Sequence, residues 1–340
     1  MVVTEAFDSV NNSKDMVHSN RRVRVLLRPI GNKLNWLACR VTKMIISTGF
    51  DQSVIKMGAV EDYEDLIDAV NSQRERLQGS ANGDIWGGRI AKRFRADPKR
   101  QMEDNFEILA DFVRPDDVFV DVGGGAGRLG LPMALRCREV INVEPSAGMS
   151  TEFIASADEA EIKNASNVHA SWLEPHGVVG DVVHAANVTY FVRDIGAFIE
   201  RLVSAARRRV ILSMYSAPNP MHNAKLFKMV YGEDQATVPG HTQLLPALWE
   251  MNILPDVRFL PQGSRFDGAE QPPTLPKTKE DAVEMALAGI WLAPHHRDRG
   301  EAMVHRQFDS LFEESADGFI PLWLPEARQV LITWEIHNAG

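Results

Sequence analysis

Val118-Phe119-Val120-Asp121-Val122-Gly123-Gly124-Gly125-Ala126-Gly127-Arg128 is the stretch on which the fold turns. A short apolar run, broken only by Asp121, ends in four glycines among residues 123–127. A helical pattern follows from about Arg128 to Arg136, with Pro132 tolerable only in its early turn. Glycine accepts positive φ and lets a ligand approach the main chain closely. Open α/β sheets bind ligands at the carboxyl ends of their strands. A ligand is therefore expected at this bend.

Further strands are expected on both sides of it. Val140–Val143, Asn167–Ala170, Asp181–Ala185 and Val210–Met214 are short, continuous runs rich in apolar residues, as in strands covered on both faces. Helical segments lie between several of them. Ile195, Phe198, Ile199 and Leu202 make a core-facing stripe at helical spacing. Upstream, Glu61–Leu77 and the apolar series Met102, Phe106, Leu109, Val113 read as helices, with a short, aromatic and basic stretch, Ile85–Phe94, between them. Val257–Leu260 and Val330–Ile336 add a sixth and a closing strand. Strands alternating with helices indicate βαβ units and a parallel sheet.

Two ligand classes compete for the bend. Gly125-Ala126-Gly127-Arg128-Leu129-Gly130 satisfies the dinucleotide pattern G-x-G-x-x-G, a weak signal by itself. Such a site holds a pyrophosphate on the loop and helix N-terminus. Asp121 stands two residues before the first glycine, where a carboxylate facing the ligand opposes a pyrophosphate and suits a cation.

The pattern Asp121-x-Gly123-x-Gly125-x-Gly127 resembles motif I of the class I S-adenosylmethionine-dependent methyltransferases, in the broad small-molecule-type group. Glu144 closes the next strand, where that family places a carboxylate on the two ribose hydroxyls. One ionised carboxylate can accept both hydroxyl protons. Pro145 and Ser146 follow, where the family often contacts adenine. Ser171-Trp172 follows the third strand, and the resemblance implies that Trp172 offers a face to adenine, in place of the commoner acidic residue there. Asn187 and Tyr190 follow the fourth strand, at the family's junction of cofactor and acceptor. The resemblance covers about residues 85–215 plus the closing strand. It implies a Rossmann-like, doubly wound, mostly parallel seven-stranded sheet. It also implies S-adenosyl-L-methionine as cofactor, held by Asp121, Gly123, Gly125, Gly127, Glu144, Pro145, Trp172 and Asn187. A nicotinamide-dependent oxidoreductase and a non-catalytic cofactor-binding protein on the same scaffold stay open as alternatives, because a fold does not fix a reaction.

The insertion 217–326 is longer than a simple connection needs and is expected to form a helical cap over the active edge of the sheet. Thr278-Lys279-Glu280-Asp281 has capping-box spacing, and a further helix is expected over Glu301–Phe312. Tyr190 and Trp291 are the expected acceptor contacts, with His241, His295 and His296 as further candidates. A cap of this size favours a small-molecule acceptor. No catalytic side chain is assigned, and a metal site is not expected, since Cys39 and Cys137 form no ligand pair and His295-His296 lacks metal-site spacing.

The net charge is -9, yet residues 1–60 carry nine Lys/Arg against four Asp/Glu. The rest of the chain is strongly acidic, which argues against a large phosphate-binding surface. Residues 1–56 are expected to be a disordered or misassigned leader before a methyltransferase domain at 57–340. No run of about 20 apolar residues is present for a membrane helix. Two cysteines without a disulfide framework fit a reducing cytoplasm.

Overall fold

The computed structural model describes residues 58–79, 83–261, 275–290 and 292–336. The basic segment 1–56 and Trp291 lie outside the described residues. Three helices come first: α1 (Ala59–Gln78), α2 (Arg89–Arg93) and α3 (Asp104–Ala110). The sheet then begins with β1 (Val118–Val122), α4 (Gly130–Ala134), β2 (Glu139–Val143), α5 (Ala147–Glu159) and β3 (Ala165–Val168). It continues with β4 (Gly180–Ala186), α6 (Ile195–Ala205) and β5 (Ala206–Tyr215). After β5 come α7 (Ala224–Tyr231), α8 (His241–Glu250), β6 (Asp256–Phe259), α9 (Lys279–Ala288), α10 (Arg297–Arg306) and α11 (Phe308–Leu311). The chain closes with β7 (Phe312–Ser315), β8 (Gly318–Pro321) and β9 (Gln329–Glu335).

The main sheet has seven strands in the order β3-β2-β1-β4-β5-β9-β6. Pairing from β3 to β5 is parallel, while β9 runs antiparallel to both neighbours. The order reverses between β1 and β4, the switch point at which such sheets bind ligands. The sheet is therefore doubly wound, mostly parallel and Rossmann-like, with an antiparallel strand near one edge. Side chains alternate across it. One face packs Val120, Val143, Val183 and Leu212 with α1 and α6. The other packs Phe119, Val140, Val182 and Ile211 with Phe106 of α3, Leu131 of α4 and Phe153 of α5.

The expected strands are found within two residues for β2, β3, β4, β6 and β9, and β1 coincides with its expectation. β5 begins four residues earlier than expected, since Ala206 to Arg209 extend the ladder before the apolar run. The expected capping of α9 is present: the Thr278 hydroxyl accepts from the Asp281 amide at 3.1 Å. Two expectations need correction. The helix placed over Glu301–Phe312 is two helices, α10 and α11, and Phe312 already belongs to β7. The insertion also holds the two-stranded ribbon β7–β8, so it is not wholly helical. Its own apolar cluster gathers Leu226, Phe227, Ala286, Val304, Phe312 and Trp323. No helix among the described residues is long and apolar enough to cross a membrane.

Candidate functional site

The loop from Gly123 to Gly127 leaves the carboxyl end of β1 in a tight path. Gly127 has φ +84, and a Cβ there would lie 2.7 Å from both Leu131 and Phe153, so only glycine fits. At Gly124 a Cβ would strike the Asp121 carboxylate and sit 2.5 Å from Asn142 Oδ1. The loop thus rests directly on the polar side chains of β1 and β2.

Asp121 supports the loop from beneath. It is 1% exposed, which corrects the expectation that its carboxylate faces the ligand crevice. Its side chain follows the alternation of β1 and shares the face of Phe119, beneath Gly124 and Gly130. Its Oδ1 accepts from His184 Nδ1 at 3.0 Å, and its Oδ2 has no hydrogen-bond partner among the described residues.

Glu144 follows the last residue of β2. Its Oε2 accepts the Gly125 amide at 2.9 Å and its Oε1 the Ser146 amide at 2.8 Å. Burial pushes its carboxyl above the ordinary range, against the pull of the two amides; the charges of Asp121 and Asp84 add to the rise. Each carboxylate oxygen offers about two acceptor sites, so each has one left beyond its amide. Pro145 is exposed. Its carbonyl lies 3.0 Å from His169 Nε2. The Ser146 hydroxyl caps α5 by accepting from the Met149 amide at 3.1 Å.

A third carboxylate was not anticipated from the sequence. Asp84 accepts from the Ser146 hydroxyl at 2.8 Å and the Gly148 amide at 3.0 Å through Oδ2, and from the Trp86 amide at 3.1 Å through Oδ1. These hydrogen bonds and the His169 charge hold its carboxyl below its usual range, although desolvation is the largest single influence and opposes them. Trp86 packs beside Ala91, Ala126 and Met149, next to the glycine loop. It also meets Phe94 and Phe191 edge to face, with centroids 6.1 and 5.8 Å away. The aromatic and basic composition of Ile85–Phe94 was the available signal. Nothing in the local pattern marked Asp84.

Trp172 and Tyr190 are placed differently from the expectation. Trp172 is 4% exposed, stacked at a tilt on His176 at 4.8 Å, with Arg201 5.7 Å from its ring. Its faces are already committed to protein, so it is a core residue here. Tyr190 is 2% exposed. Its hydroxyl accepts from the Tyr215 amide at 2.8 Å and donates to the Tyr215 carbonyl at 3.3 Å. That phenol ties β5 to the turn after β4, and its hydroxyl is engaged with the main chain of Tyr215. Its neighbour Phe191 is half exposed and joins Trp86 instead.

Asn187 adopts a left-handed φ of +57, uncommon for a residue other than glycine. Its amide donates to the Ser213 carbonyl at 2.8 Å, and its Oδ1 is buried with no partner among the described residues. Such strain persists only where surrounding structure enforces it, and it gathers at ligand sites. His241 opens α8 with its ring edge-on to Phe259 at 5.5 Å, and burial pushes its pKa down. His295 and His296 sit side by side, 4.2 Å between rings, beside Tyr231. No group of three or more metal-binding side chains occurs among the described residues.

No protein-family model matches the chain. An uncharacterized protein of Haemophilus influenzae is 25% identical over 150 residues, 44% of this chain and 55% of that protein. The chain thus spans about half the length of that curated relative. Among solved structures, magnesium protoporphyrin IX methyltransferase from Synechocystis with bound S-adenosylhomocysteine is 20% identical, with a TM-score of 0.39 over 61% of this chain and 94% of that one. Coclaurine N-methyltransferase is 11% identical, with a TM-score of 0.44 over 89% and 94%. The [4+2]-cyclase SpnF is 10% identical, with a TM-score of 0.43 over 83% and 97%. At these identities the likeness is one of fold, which the strand order and registers define for this chain.

Proposed function

We propose that the chain is an S-adenosylmethionine-dependent methyltransferase that acts on a small-molecule acceptor. One observation carries the reading: two carboxylates flank the glycine loop, Glu144 on the Gly125 and Ser146 amides and Asp84 on the Ser146 hydroxyl. Such a crevice favours a cation and repels a pyrophosphate. Two further features point away from a nicotinamide dinucleotide. The Gly125 amide, a donor a pyrophosphate would use, already serves Glu144. The helix after the loop, α4, has five residues, too short for a strong terminal dipole.

The residues present fit the cofactor. Glu144 keeps one acceptor site on each oxygen for the two ribose hydroxyls. S-adenosylmethionine supplies an activated methyl group on a sulfonium, transferred by in-line displacement. The protein then has to align the acceptor and exclude water, and orientation alone contributes on the order of 7–11 kcal/mol to such reactions. Asn187, held in its strained turn at the switch point, is placed to orient groups where cofactor and acceptor meet. Phe191 and Trp86 form an aromatic pair beside the glycine loop, which suits a sulfonium at about 0.5–2 kcal/mol per ring. The insertion rises from the carboxyl end of β5 and carries its own core. We assign it the role of narrowing access, so that a small molecule rather than a polymer is the acceptor.

Isothermal titration with S-adenosylhomocysteine, NAD(H) and NADP(H) tests the cofactor. Binding of the first alone is expected, and binding of a dinucleotide instead would overturn the reading. Release of S-adenosylhomocysteine from a panel of small amines, phenols and acids, against RNA and intact protein, tests the acceptor class. Turnover confined to the polymers would remove the role given to the insertion.

A further inference from the structure

Beneath the glycine loop a row of polar side chains crosses the sheet. Asn167 of β3, Asn142 of β2, Asp121 of β1 and His184 of β4 are register partners in successive strands. Ser213 of β5 extends the row, two residues beyond Ile211, the register partner of His184. Asn142 Nδ2 donates to Asn167 Oδ1 at 2.8 Å and to the Gly125 carbonyl at 3.2 Å. His184 Nδ1 lies 3.0 Å from Asp121 Oδ1, and its Nε2 lies 2.9 Å from Ser213 Oγ. A carboxylate only accepts, so Nδ1 carries the proton donated to Asp121. Two residues earlier in β2, β1, β4 and β5 the same face is apolar: Val140, Phe119, Val182 and Ile211.

Asp121, His184 and Ser213 have the connectivity of a hydrolytic triad, but they are 1%, 0% and 1% exposed. No substrate reaches Ser213, so nucleophilic chemistry is ruled out by access. A buried polar network costs stability wherever a member is left unsatisfied, and Asp121 Oδ2 and Asn142 Oδ1 are buried without a partner among the described residues. The Asp121 end of the set that His184 joins lies under Gly124 and Gly130. The other reaches Ser213, whose carbonyl accepts the Asn187 amide.

We infer that His184 is a positioning residue: by fixing the Asp121 carboxylate beneath the glycine loop, and by bridging it to Ser213, it sets the loop geometry that receives the cofactor. The inference rests on the methyltransferase reading. Removing the imidazole frees Asp121 to turn within the space that Gly124 and Gly130 leave open, since a Cβ at either position would meet its Oδ2.

A double-mutant cycle on the full chain tests it, with Kd for S-adenosylhomocysteine as readout and thermal melting followed in parallel. His184→Leu should weaken binding about tenfold, within the coupling range of contacting residues. His184→Asn, which keeps a donor for Asp121, should restore most of the affinity. In an Asp121→Ala background, His184→Leu should add less than about a twofold loss, because its partner is gone. A merely structural histidine predicts the opposite: multiplied losses in the double variant and no rescue by asparagine. Either result, or an unchanged Kd in His184→Leu, overturns the inference. Should His184→Leu fail to fold, the imidazole nitrogens of the wild-type protein decide by NMR. Proton occupancy on Nδ1 and a shift on ligand addition are expected, and resonances indifferent to the ligand overturn it. A wild-type protein that binds no S-adenosylhomocysteine sinks the functional reading itself, whereas binding without the His184 coupling sinks this inference alone.

Discussion

Glu144 makes two opposite pH dependences meet in one residue. Its carboxylate accepts the Gly125 and Ser146 amides, and the proposed ribose contacts use its remaining acceptor sites. Glu144→Gln replaces one acceptor oxygen with an NH2 group. One charge-assisted backbone bond is lost and one ribose hydroxyl loses its partner. Bonds to charged groups are worth about 1.5–3 kcal/mol each. Because the loop can relax away from the new donor, a net loss of about 2–3 kcal/mol of binding is expected, or roughly 30- to 150-fold in Kd. Protonation of Glu144 should have a similar effect. Burial raises this carboxyl, so affinity should begin to fall at a higher pH than the ordinary Glu value of about 4.3 would dictate. Stability runs the other way. A raised folded-state pKa gives a contribution present below the unfolded value and lost as pH rises through the folded one. Titration calorimetry with S-adenosylhomocysteine from pH 5 to 8, beside urea unfolding over the same range, separates the two. Wild-type affinity should rise with pH while the Glu144 share of stability falls, and Glu144→Gln should flatten both. A flat wild-type profile together with a Glu144→Gln Kd within threefold of wild type would refute the assignment of this carboxylate.

Gly127→Ala should destabilise the fold by about 2–4 kcal/mol, combining left-handed strain with the collision against Leu131 and Phe153. Gly79→Ala, also at positive φ but facing open space, should cost only about 1 kcal/mol by urea unfolding. Tyr190→Phe should lose about 1–3 kcal/mol, because it leaves the Tyr215 amide without its acceptor. Its Kd for S-adenosylhomocysteine should stay unchanged, and a large rise in acceptor KM with full stability would reverse that placement. Burial pushes the Cys137 thiol up to about 11. In a Cys39→Ser background, native protein at pH 7.5 should therefore resist a disulfide reagent that reacts promptly after denaturation.

The order of elements was legible because apolar runs of four to seven residues separated by glycine and helical stripes leave few topologies. Departures from it trace to competing local patterns. Glu301–Phe312 has the spacing of one continuous helix, since Val304, Phe308 and Leu311 share a stripe and are all buried. The break at Gln307 and the ribbon after it depend on Phe312 and Phe319 joining the cluster of the insertion. The Asp317-Gly318 step was the available turn signal, and Gly318 does take φ +120. Tyr190 misled because a tyrosine after a strand end looks the same in sequence whether its hydroxyl meets a ligand or the main chain of β5.

The site divides along the same line. Residues whose role is backbone geometry, such as Gly127, were readable because few side chains tolerate that φ. The direction of a side chain at the strand end was readable only through parity. Asp121, Asn142, His184 and Ser213 stand two residues after Phe119, Val140, Val182 and Ile211, which face α3, α4 and α5. The strand alternation therefore turns all four to that buried face, and Asp121 cannot point into the crevice without breaking it. An ionisable residue inside an otherwise apolar strand, as His184 is, has to find a partner or lose its burial. The two partners lie on the neighbouring strands, at positions that only the registers reveal. On the proposed reading, Asp121 acts through the loop above it and leaves the direct ligand contacts to Glu144, one residue past the end of β2, where the alternation no longer binds the side chain to the core.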